Sequence, residues 1–241
     1  MKPKPKPPPA PQTSRGNPFK DRSGLGVYLA DPTSPRIIHQ SPFAVCINDK
    51  FPKATVHTLL LPRSASHNLL HPFDALDDAD FLAELRREVG VLKELAAREL
   101  QRVLGRESRS EAARQAVLDG DVDADDEGGG GKLPEGRDWS KEIIAGVHAV
   151  PSMSHLHVHV LSRDMHSDAL KHRKHYNSFA TPFLVSLDDF PLGDDDPRRR
   201  TREEAYLRWD LRCWRCGRNF GNRFTALKRH LETEFEEWRR E

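Results

Sequence analysis

Three histidines alternate with apolar residues in the segment 155–161: His155, His157 and His159. Successive side chains of a β-strand point to opposite faces, so we expect the three imidazoles on one surface and the apolar side chains in a core. Imidazole can be a nucleophile, a proton donor and a proton acceptor near neutral pH. The pattern predicts a strand that transfers a phosphorus-centred group; a metal-binding strand and a half-buried strand without chemistry are the alternatives.

The residues just before this segment supply groups that suit a bound phosphate. Pro151 fixes a bend, Ser152 and Ser154 carry hydroxyls, and His148 adds another imidazole. Hydrogen-bond donors beside a nucleophile stabilise the charge of a phosphate and of its transition state. This context favours the catalytic interpretation of the histidine segment.

A second group of chemically active residues lies near the C-terminus. Cys213 and Cys216 form a Cys-x-x-Cys pair, which is followed by His230 and, four residues later, by Glu234. Residues i and i+4 share one face of a helix, so these four groups can surround one tetrahedral Zn²⁺. The spacing predicts a structural zinc finger whose last ligand is a carboxylate. A reduced cysteine pair beside an ordinary surface helix is the alternative, and two further glutamates follow closely.

Composition limits how much of the chain forms a compact body. Of the 241 residues, 37% are hydrophobic and 31% are charged, which indicates segments outside the core. Residues 1–16 are rich in Pro and Lys and are expected to form a disordered arm. Residues 105–136 contain an acidic run and four consecutive glycines, so we expect a flexible insertion within a catalytic domain over 17–192. A small zinc-finger domain is expected over 193–241.

Cysteine content and hydropathy restrict the environment. The chain has three cysteines and no apolar run long enough to span a membrane. Paired cysteines in a reducing environment hold metal more often than they form disulfides. We therefore expect zinc as the cofactor and no membrane partner.

Positive charge is concentrated in two parts of the chain. Residues 198–241 contain 13 Lys and Arg against 8 Asp and Glu, although the formal net charge of the whole chain is only +1. Lys171, Arg173 and Lys174 follow the histidine segment and add charge near the predicted site. Phosphate backbones bind such surfaces because condensed counterions are released. The charge distribution predicts a nucleic-acid partner.

Hydrophobic periodicity predicts the elements that position these residues. Apolar and β-branched residues favour strands over 43–48, 56–61, 143–147 and 155–161. Apolar residues at helical spacing predict a long helix over 78–104. The order of elements predicts the α+β class, with an antiparallel sheet, a packed helix and a finger at the end.

These motifs resemble a known family. The pattern His-φ-His-φ-His-φ-φ, with φ apolar, resembles the histidine-triad superfamily; the segments 150–155 and 171–179 resemble its aprataxin branch, and the finger is similar to that of fungal aprataxins. The resemblance implies a histidine-triad fold, an antiparallel sheet with packed helices, followed by a small C-terminal zinc finger. It also implies a hydrolase that removes AMP from 5′-adenylated DNA ends left by abortive ligation, in single-strand break repair.

The resemblance assigns catalytic roles to five residues. His157 would attack the AMP phosphorus and carry AMP covalently until water releases it as the product. A hydrogen bond from the other ring nitrogen of His157 to a backbone carbonyl is expected to hold its tautomer. His159, Ser152 and Lys53 would stabilise the charged phosphorus centre, and His148 would support or protonate the leaving phosphate.

Five further residues take supporting roles by the same resemblance. His155 would orient its neighbours, His57 would add an imidazole from the second strand, and Asp49 would accept hydrogen bonds from the ribose hydroxyls. Met153 belongs to the substrate-binding approach, and Leu25 is expected on a helix that wedges against the base pair at the broken DNA end. The three basic residues after the triad would contact DNA.

Other functions remain open from the sequence. A histidine-triad phosphoramidase or dinucleotide hydrolase acting on free nucleotides would share the triad but would have no use for a basic finger. A non-enzymatic zinc-finger nucleic-acid-binding protein would bind nicked DNA without forming an adenylyl intermediate. RNA–DNA junctions are a further substrate class, and the nucleus is the expected location, with the cytoplasm second. Ile37, Ile38 and Phe43 are the candidates for the adenine pocket.

Overall fold

The computed structural model describes residues 22–123, 133–200 and 205–241. Its centre is a six-stranded sheet made of β1 (Ile37–Gln40), β2 (Ala44–Asn48), β3 (His57–Pro62), β4 (Ile143–His148), β5 (Val158–Ser162) and β6 (Leu184–Ser186). The spatial order is β1-β2-β3-β5-β4-β6, and every neighbouring pair is antiparallel. The predicted α+β class with an antiparallel sheet is confirmed.

Seven helices and a small hairpin accompany the sheet in the described part of the chain. The helices are α1 (Gly26–Ala30), α2 (Pro72–Ala75), α3 (Ala79–Leu104), α4 (Ala112–Leu118), α5 (Arg173–Ala180), α6 (Pro197–Arg200) and α7 (Phe224–Trp238). The hairpin consists of β7 (Leu211–Arg212) and β8 (Asn219–Gly221). None of the helices in the described ranges combines the length and apolar character that crossing a bilayer requires.

Helix α3 is the predicted long helix, and it covers one face of the sheet. Asp78 caps its N-terminus by accepting hydrogen bonds from the backbone N–H groups of Asp80 and Phe81, each at 3.0 Å. Its apolar side chains recur every three or four residues and form one buried stripe. The stripe packs in the main core with inward-facing residues of the sheet: Ala44, Cys46, Leu60, Val147, Val158 and Val160.

Strand β5 is shorter than the sequence pattern predicts. The prediction began the strand at residue 155, whereas β5 begins at Val158. The backbone N–H of Leu156 donates to the Asn68 carbonyl at 2.8 Å, so the chain is held by a loop here and not by a strand ladder. The apolar alternation is nevertheless correct, since Leu156 and Val158 both lie in the main core.

Two strands were absent from the prediction. Strand β1 alternates between half-buried and exposed residues at the sheet edge, and β6 has three residues. Both sequences are too short to show a clear period. Strand β6 matters for the candidate site because it pairs with β4 and extends the sheet beside His148, whose register partner is Leu184.

The predicted arm and insertion are only partly within the described residues. The arm over 1–16 lies outside them, as do residues 124–132 of the insertion. The first part of the insertion differs from the flexible segment predicted, because it forms two 3-10 turns and α4. Buried Glu111 holds it in place by accepting hydrogen bonds from Trp139 Nε1 at 2.7 Å and from the Arg137 N–H at 3.1 Å.

The C-terminal hairpin and α7 pack closely against the sheet domain. Phe235 and Trp238 of α7 belong to the same core as α3, and Trp238 Nε1 donates to Glu142 at 3.0 Å. Residues 193–200 contact the sheet domain too, since Arg199 pairs with Asp77, which lies just before α3. The finger is therefore joined to the sheet by a shared apolar core.

Candidate active site

Four histidines converge on the face of the sheet opposite α3. His57 comes from β3, His148 from the end of β4, His159 from β5, and His157 from the residues just before β5. The His159 ring is central: its centroid lies 5.2 Å from that of His57, 4.3 Å from that of His148 and 4.9 Å from that of His157. The structure thus brings together four of the five imidazoles predicted for the site.

Hydrogen bonds among these rings determine which nitrogens carry protons. The backbone N–H of Lys53 donates to His57 Nδ1 at 3.0 Å, so neutral His57 carries its proton on Nε2. His57 Nε2 lies 3.0 Å from His159 Nδ1 and donates to it, which places the proton of neutral His159 on Nε2. Within the described residues His159 Nε2 is buried and has no hydrogen-bond partner. This N–H donor is left for a ligand.

His157 is held by its own backbone neighbourhood. Its Nδ1 lies 2.7 Å from the carbonyl oxygen of His155, and a carbonyl can only accept, so Nδ1 carries the proton. The lone pair of neutral His157 is therefore on Nε2. This is the backbone-carbonyl contact that the sequence analysis expected for the middle histidine.

Burial lowers the pKa of all four imidazoles. Desolvation, which penalises a charged ring, lowers the pKa of His57 to about 4 and that of His148 to about 3. It also lowers the pKa of His157, and it lowers that of His159 further, where repulsion from neighbouring histidines adds to burial. All four rings are neutral at pH 7, which a nucleophilic nitrogen requires.

Asp49 and Lys53 lie at the edge of the cluster. Asp49 Oδ1 accepts from the Phe51 N–H at 2.7 Å, and its Oδ2 lies 3.6 Å from His57 Nε2. Lys53 Nζ donates to the Phe51 carbonyl, and burial lowers the pKa of its ammonium group. Both side chains are half-buried, so each is accessible to a ligand beside the histidines.

A metal ion is poorly suited to this cluster. Asp49, His57 and His159 have potential ligand atoms within 4.8 Å of one another. A cation between them would need a lone pair on His57 Nε2, but the Lys53 N–H already takes the lone pair on Nδ1. Neutral imidazole has one such nitrogen, so metal binding would break that hydrogen bond. The geometry favours a chain of hydrogen-bonded histidines over the metal-binding alternative.

His155 is positioned differently from the prediction that three imidazoles share one face. It precedes β5, and its ring packs against Gly26 of α1, where an added Cβ would lie 2.7 Å from His155 Cε1. His155 serves the site through its backbone carbonyl, which accepts from His157. That contact agrees with the orienting role expected for it.

The position of Leu25, just before α1, contradicts its predicted contact with DNA. Leu25 is only 8% exposed and packs with Val45, Ile47, Leu59 and Leu61 on the histidine side of the sheet. A side chain used to cover this face is not available as a wedge, so the prediction for Leu25 is wrong. The physical reason is that β1 to β3 present an apolar surface that must be buried.

The remaining predicted substrate residues lie near this surface. Ser152 is exposed, and Met153 is half-buried against the cluster that contains Leu25. Ile37 contacts the same cluster, whereas Ile38 is exposed. Phe43 was a wrong candidate for the adenine pocket, because it packs on Phe81 of α3, across the sheet from the histidines.

Phe179 is a site residue that sequence reasoning missed. Its ring centroid lies 5.2 Å from that of His57, 4.9 Å from that of His148 and 5.1 Å from that of His159. It therefore excludes water from one side of the histidine cluster. The segment 171–179 resembles the aprataxin branch, but no local pattern reveals that its last residue contacts strands that are far away in sequence.

The predicted zinc ligands come together in the finger. Potential ligand atoms of Cys213, Cys216, His230 and Glu234 lie within 4.8 Å of one another. His230 Nε2 is 3.1 Å from Cys216 Sγ and 3.0 Å from Glu234 Oε1. Two thiols, an imidazole and a carboxylate form a donor set that fits tetrahedral Zn²⁺. Arg215 contacts the second oxygen of Glu234 at 2.6 Å and orients this carboxylate.

The basic residues after β5 differ in what they contact. Lys171 and Lys174 are exposed at the start of α5. Arg173 is half-buried, and its guanidinium donates to the Trp209 carbonyl at 2.8 and 3.2 Å. These hydrogen bonds join α5 to the finger, and the DNA contact predicted for Arg173 stays a prediction.

Known families and proteins match this arrangement. The HIT domain matches residues 33–166, and the C2HE / C2H2 / C2HC zinc-binding finger matches residues 180–237. The aprataxin-like protein of Saccharomyces cerevisiae is 39% identical over 192 residues, covering 78% of this chain and 82% of the relative. The chain belongs to the aprataxin-like HIT proteins. The aprataxin-like protein of Schizosaccharomyces pombe is 32% identical over 231 residues, covering 95% of this chain and 86% of the relative.

A solved aprataxin structure supports the same fold. The crystal structure of the aprataxin ortholog Hnt3 in complex with DNA superposes with a TM-score of 0.71 at 30% identity, covering 90% of this chain and 96% of that chain. The predicted aprataxin family and its histidine-triad fold with a C-terminal finger are confirmed. The HIT match contains the whole histidine cluster, and the finger match contains the four predicted zinc ligands.

Proposed function

We propose that this aprataxin-like protein is a hydrolase that removes AMP from 5′-adenylated DNA ends through an adenylyl intermediate on His157, in single-strand break repair. The observation that carries the proposal is the hydrogen bond from His157 Nδ1 to the His155 carbonyl, at 2.7 Å. It leaves Nε2 as the basic nitrogen in a cluster of neutral imidazoles. A nucleophile with a held tautomer is what transfer of AMP to a histidine needs.

The reaction has two steps that balance at phosphorus. His157 Nε2 attacks the AMP phosphorus, the P–N bond forms, and the P–O bond to the DNA 5′-phosphate breaks, so that this phosphate leaves with the bonding electron pair. Water then attacks the same phosphorus, the P–N bond breaks, and AMP is released with the water oxygen. The electron pair of the broken P–N bond stays on Nε2, so His157 leaves as the neutral ring with its proton on Nδ1, and the proton displaced from water passes to solvent or to a neighbouring base.

Neighbouring groups would stabilise the charged phosphorus centre. The Nε2–H of His159 is a buried donor, already polarised by the hydrogen bond that its Nδ1 accepts from His57. Lys53 and Ser152 would add donors, and Asp49 would accept from the ribose hydroxyls. His148 Nε2 is buried and has no partner within the described residues, which suits a role in supporting the leaving phosphate.

DNA would bind along α5 and the finger. Lys171, Lys174, Arg208, Arg212 and Arg218 are exposed on these elements. Trp209 is 50% exposed among them and offers a flat surface for a base. Basic groups with an aromatic platform favour a nucleic-acid strand over free nucleotides, which weighs against a phosphoramidase or dinucleotide hydrolase. RNA–DNA junctions present the same phosphates and are included in the proposal.

Zinc would have a structural role in this protein. When bound, Zn²⁺ would connect the turn between β7 and β8 to α7 and so contribute to the folding of the finger. Cys213, Cys216, His230 and Glu234 would hold it. We propose the finger and the catalytic domain as the two functional units of the chain, and the nucleus as its location because its substrate is damaged DNA.

The test compares turnover on a nicked duplex that carries a 5′-AMP, for the wild type and for His157→Asn. We expect the wild type to release AMP and a short reaction to leave AMP covalently bound to the protein by mass spectrometry. His157→Asn should lose both while binding the nicked duplex as before. Retention of more than about a tenth of the turnover, a loss of under about 1.4 kcal/mol of barrier, would contradict the nucleophilic role.

Two results separate this function from its alternatives. DNA binding without AMP release from the wild type would indicate a non-enzymatic binding protein. Equal kcat/KM values for AMP-lysine phosphoramidate and for the adenylated nick would indicate a free-nucleotide hydrolase, because the basic surface would then contribute nothing to substrate capture.

A further inference from the structure

Helix α5 contacts the finger and the histidine cluster at the same time. Tyr176 and Asn177 are buried where the finger packs, and Phe179, three residues after Tyr176, is buried against the histidines. Three neighbouring residues of one short helix thus link a metal site to a candidate active site.

The Tyr176 hydroxyl is hydrogen-bonded to the peptide groups on both sides of a candidate zinc ligand. It donates to the carbonyl of Arg212 at 2.7 Å and accepts from the N–H of Trp214 at 2.9 Å. These peptide groups flank Cys213, whose thiol belongs to the ligand cluster. The hydroxyl is the group of Tyr176 that makes both hydrogen bonds. Tyr176→Phe would therefore keep the ring packing and lose both of them.

Further hydrogen bonds make this junction stiff. Asn177 Nδ2 donates to the Trp209 carbonyl at 2.8 Å, and Arg173 donates to the same oxygen. One helical turn beyond Tyr176, Phe179 packs on the imidazoles of His57, His148 and His159. A displacement of the turn around Cys213 would therefore be passed to α5 and on to His148 and His159.

Resting on the function proposed above, we infer that Tyr176 is a positioning residue through which the metal-loaded finger sets the histidine cluster for chemistry. The finger would thus serve catalysis itself as well as nucleic-acid binding. The consequence is specific, because a substrate too small to touch the finger should still depend on the zinc and on the Tyr176 hydroxyl. Small displacements in an active site lower kcat steeply, whereas binding of a small substrate changes little.

The experiment uses the full chain and AMP-lysine phosphoramidate as the small substrate. Tyr176→Phe should lower kcat about tenfold with KM unchanged and with zinc content retained. Removal of zinc from the wild type by a chelator should lower kcat similarly. The matched control is Tyr206→Phe, because Tyr206 is half-buried in the finger against Trp209 and does not belong to α5. Wild-type kcat in zinc-loaded Tyr176→Phe would overturn the inference.

Imidazole ¹⁵N chemical shifts give a readout that needs no turnover. The signals of His148 and His159 should move in Tyr176→Phe and on zinc removal, and should stay in place in Tyr206→Phe. Unmoved signals after the finger has been emptied would overturn the inference. If the wild type releases no AMP from any adenylated substrate, the proposed function fails, while these shifts still decide the coupling.

A second variant covers the case in which Tyr176→Phe no longer holds zinc. Phe179→Leu leaves the Tyr176 hydrogen bonds intact and removes the ring that packs on the histidines. Imidazole signals and a kcat that no longer change when zinc is removed from this variant support the coupling. Retained zinc with wild-type signals and kcat overturns it.

Discussion

His57 Nε2 and His159 Nδ1 lie 3.0 Å apart, across two strands whose residues are separated by 102 positions in the chain. Because Lys53 donates to the other nitrogen of His57, this contact has one direction, from His57 to His159. A backbone N–H at the end of a loop thereby sets the proton position on a ring that faces the candidate nucleophile His157.

Replacement of His57 by Ala should impair both stability and turnover. The variant leaves the Lys53 N–H and His159 Nδ1 without partners in a buried site, which we expect to lower the free energy of unfolding by about 2–4 kcal/mol. Loss of the His159 proton position should lower kcat on adenylated DNA about a hundredfold. Urea unfolding and AMP release measure the two effects. His39→Gln, on edge strand β1, is the stability control, and an equal loss there would contradict the argument.

Stability should fall as the pH decreases below about 6.5. The pKa of His57 is about 4 and that of His148 about 3 in the folded protein, against 6.5 in the unfolded chain. The unfolded state binds more protons between these values, so the free energy of unfolding rises with pH from about 3 to 6.5 and is constant with respect to these groups above that range. Each histidine contributes up to about 1.4 kcal/mol per pH unit.

The variant His148→Phe checks this assignment. It retains a ring beside Phe179 and Phe183 but removes one titrating group. We expect urea unfolding between about pH 4.5 and 7, at constant ionic strength, to show that the stability of His148→Phe depends less steeply on pH than that of the wild type. An unchanged slope would show that His148 is not titrating as its burial demands.

Glu234 should be required for zinc, and Glu237 should not. Glu234 Oε1 lies 3.0 Å from His230 Nε2 within the ligand cluster, whereas Glu237 is exposed and contacts Arg215. Glu234→Gln removes a charged ligand and should weaken zinc affinity about tenfold or more. Metal analysis after competition with a chromophoric chelator compares it with Glu237→Gln, the matched control. Equal zinc retention in the two variants would remove Glu234 from the ligand set.

Two glycines should respond in opposite ways to replacement by Ala. A Cβ at Gly146 of β4 would meet the Val185 carbonyl oxygen and lie 3.1 Å from Leu184 Cγ, so Gly146→Ala should destabilise the protein by about 1–3 kcal/mol. Gly90, exposed in α3, has no atom within 4 Å of such a Cβ in the described structure, and Gly90→Ala should stabilise it by about 0.5–1 kcal/mol. Thermal unfolding distinguishes the two, and a tolerated Ala at position 146 would show that β6 can move away.

Local sequence patterns were sufficient to predict the long helix and the finger. The long helix was predicted over 78–104 and spans Ala79–Leu104, because its apolar stripe and its Asp78 cap are both encoded within a few residues. The finger followed from ligand spacing, since a Cys-x-x-Cys turn and an i, i+4 helix pair bring donors together whatever the rest of the fold. Strands β1 and β6 escaped prediction because three or four residues show no period.

The sequence by itself determined which chemical groups this protein has and which of them are neighbours through local geometry: the apolar stripe of the long helix and the four candidate zinc ligands. Only the tertiary structure decided which groups from distant segments meet. It joined His57 to His159, placed Phe179 against three imidazoles, buried Leu25 and bound Arg173 to the finger. The physical reason is that strand pairing and core burial set these contacts over separations on which local propensity carries no information.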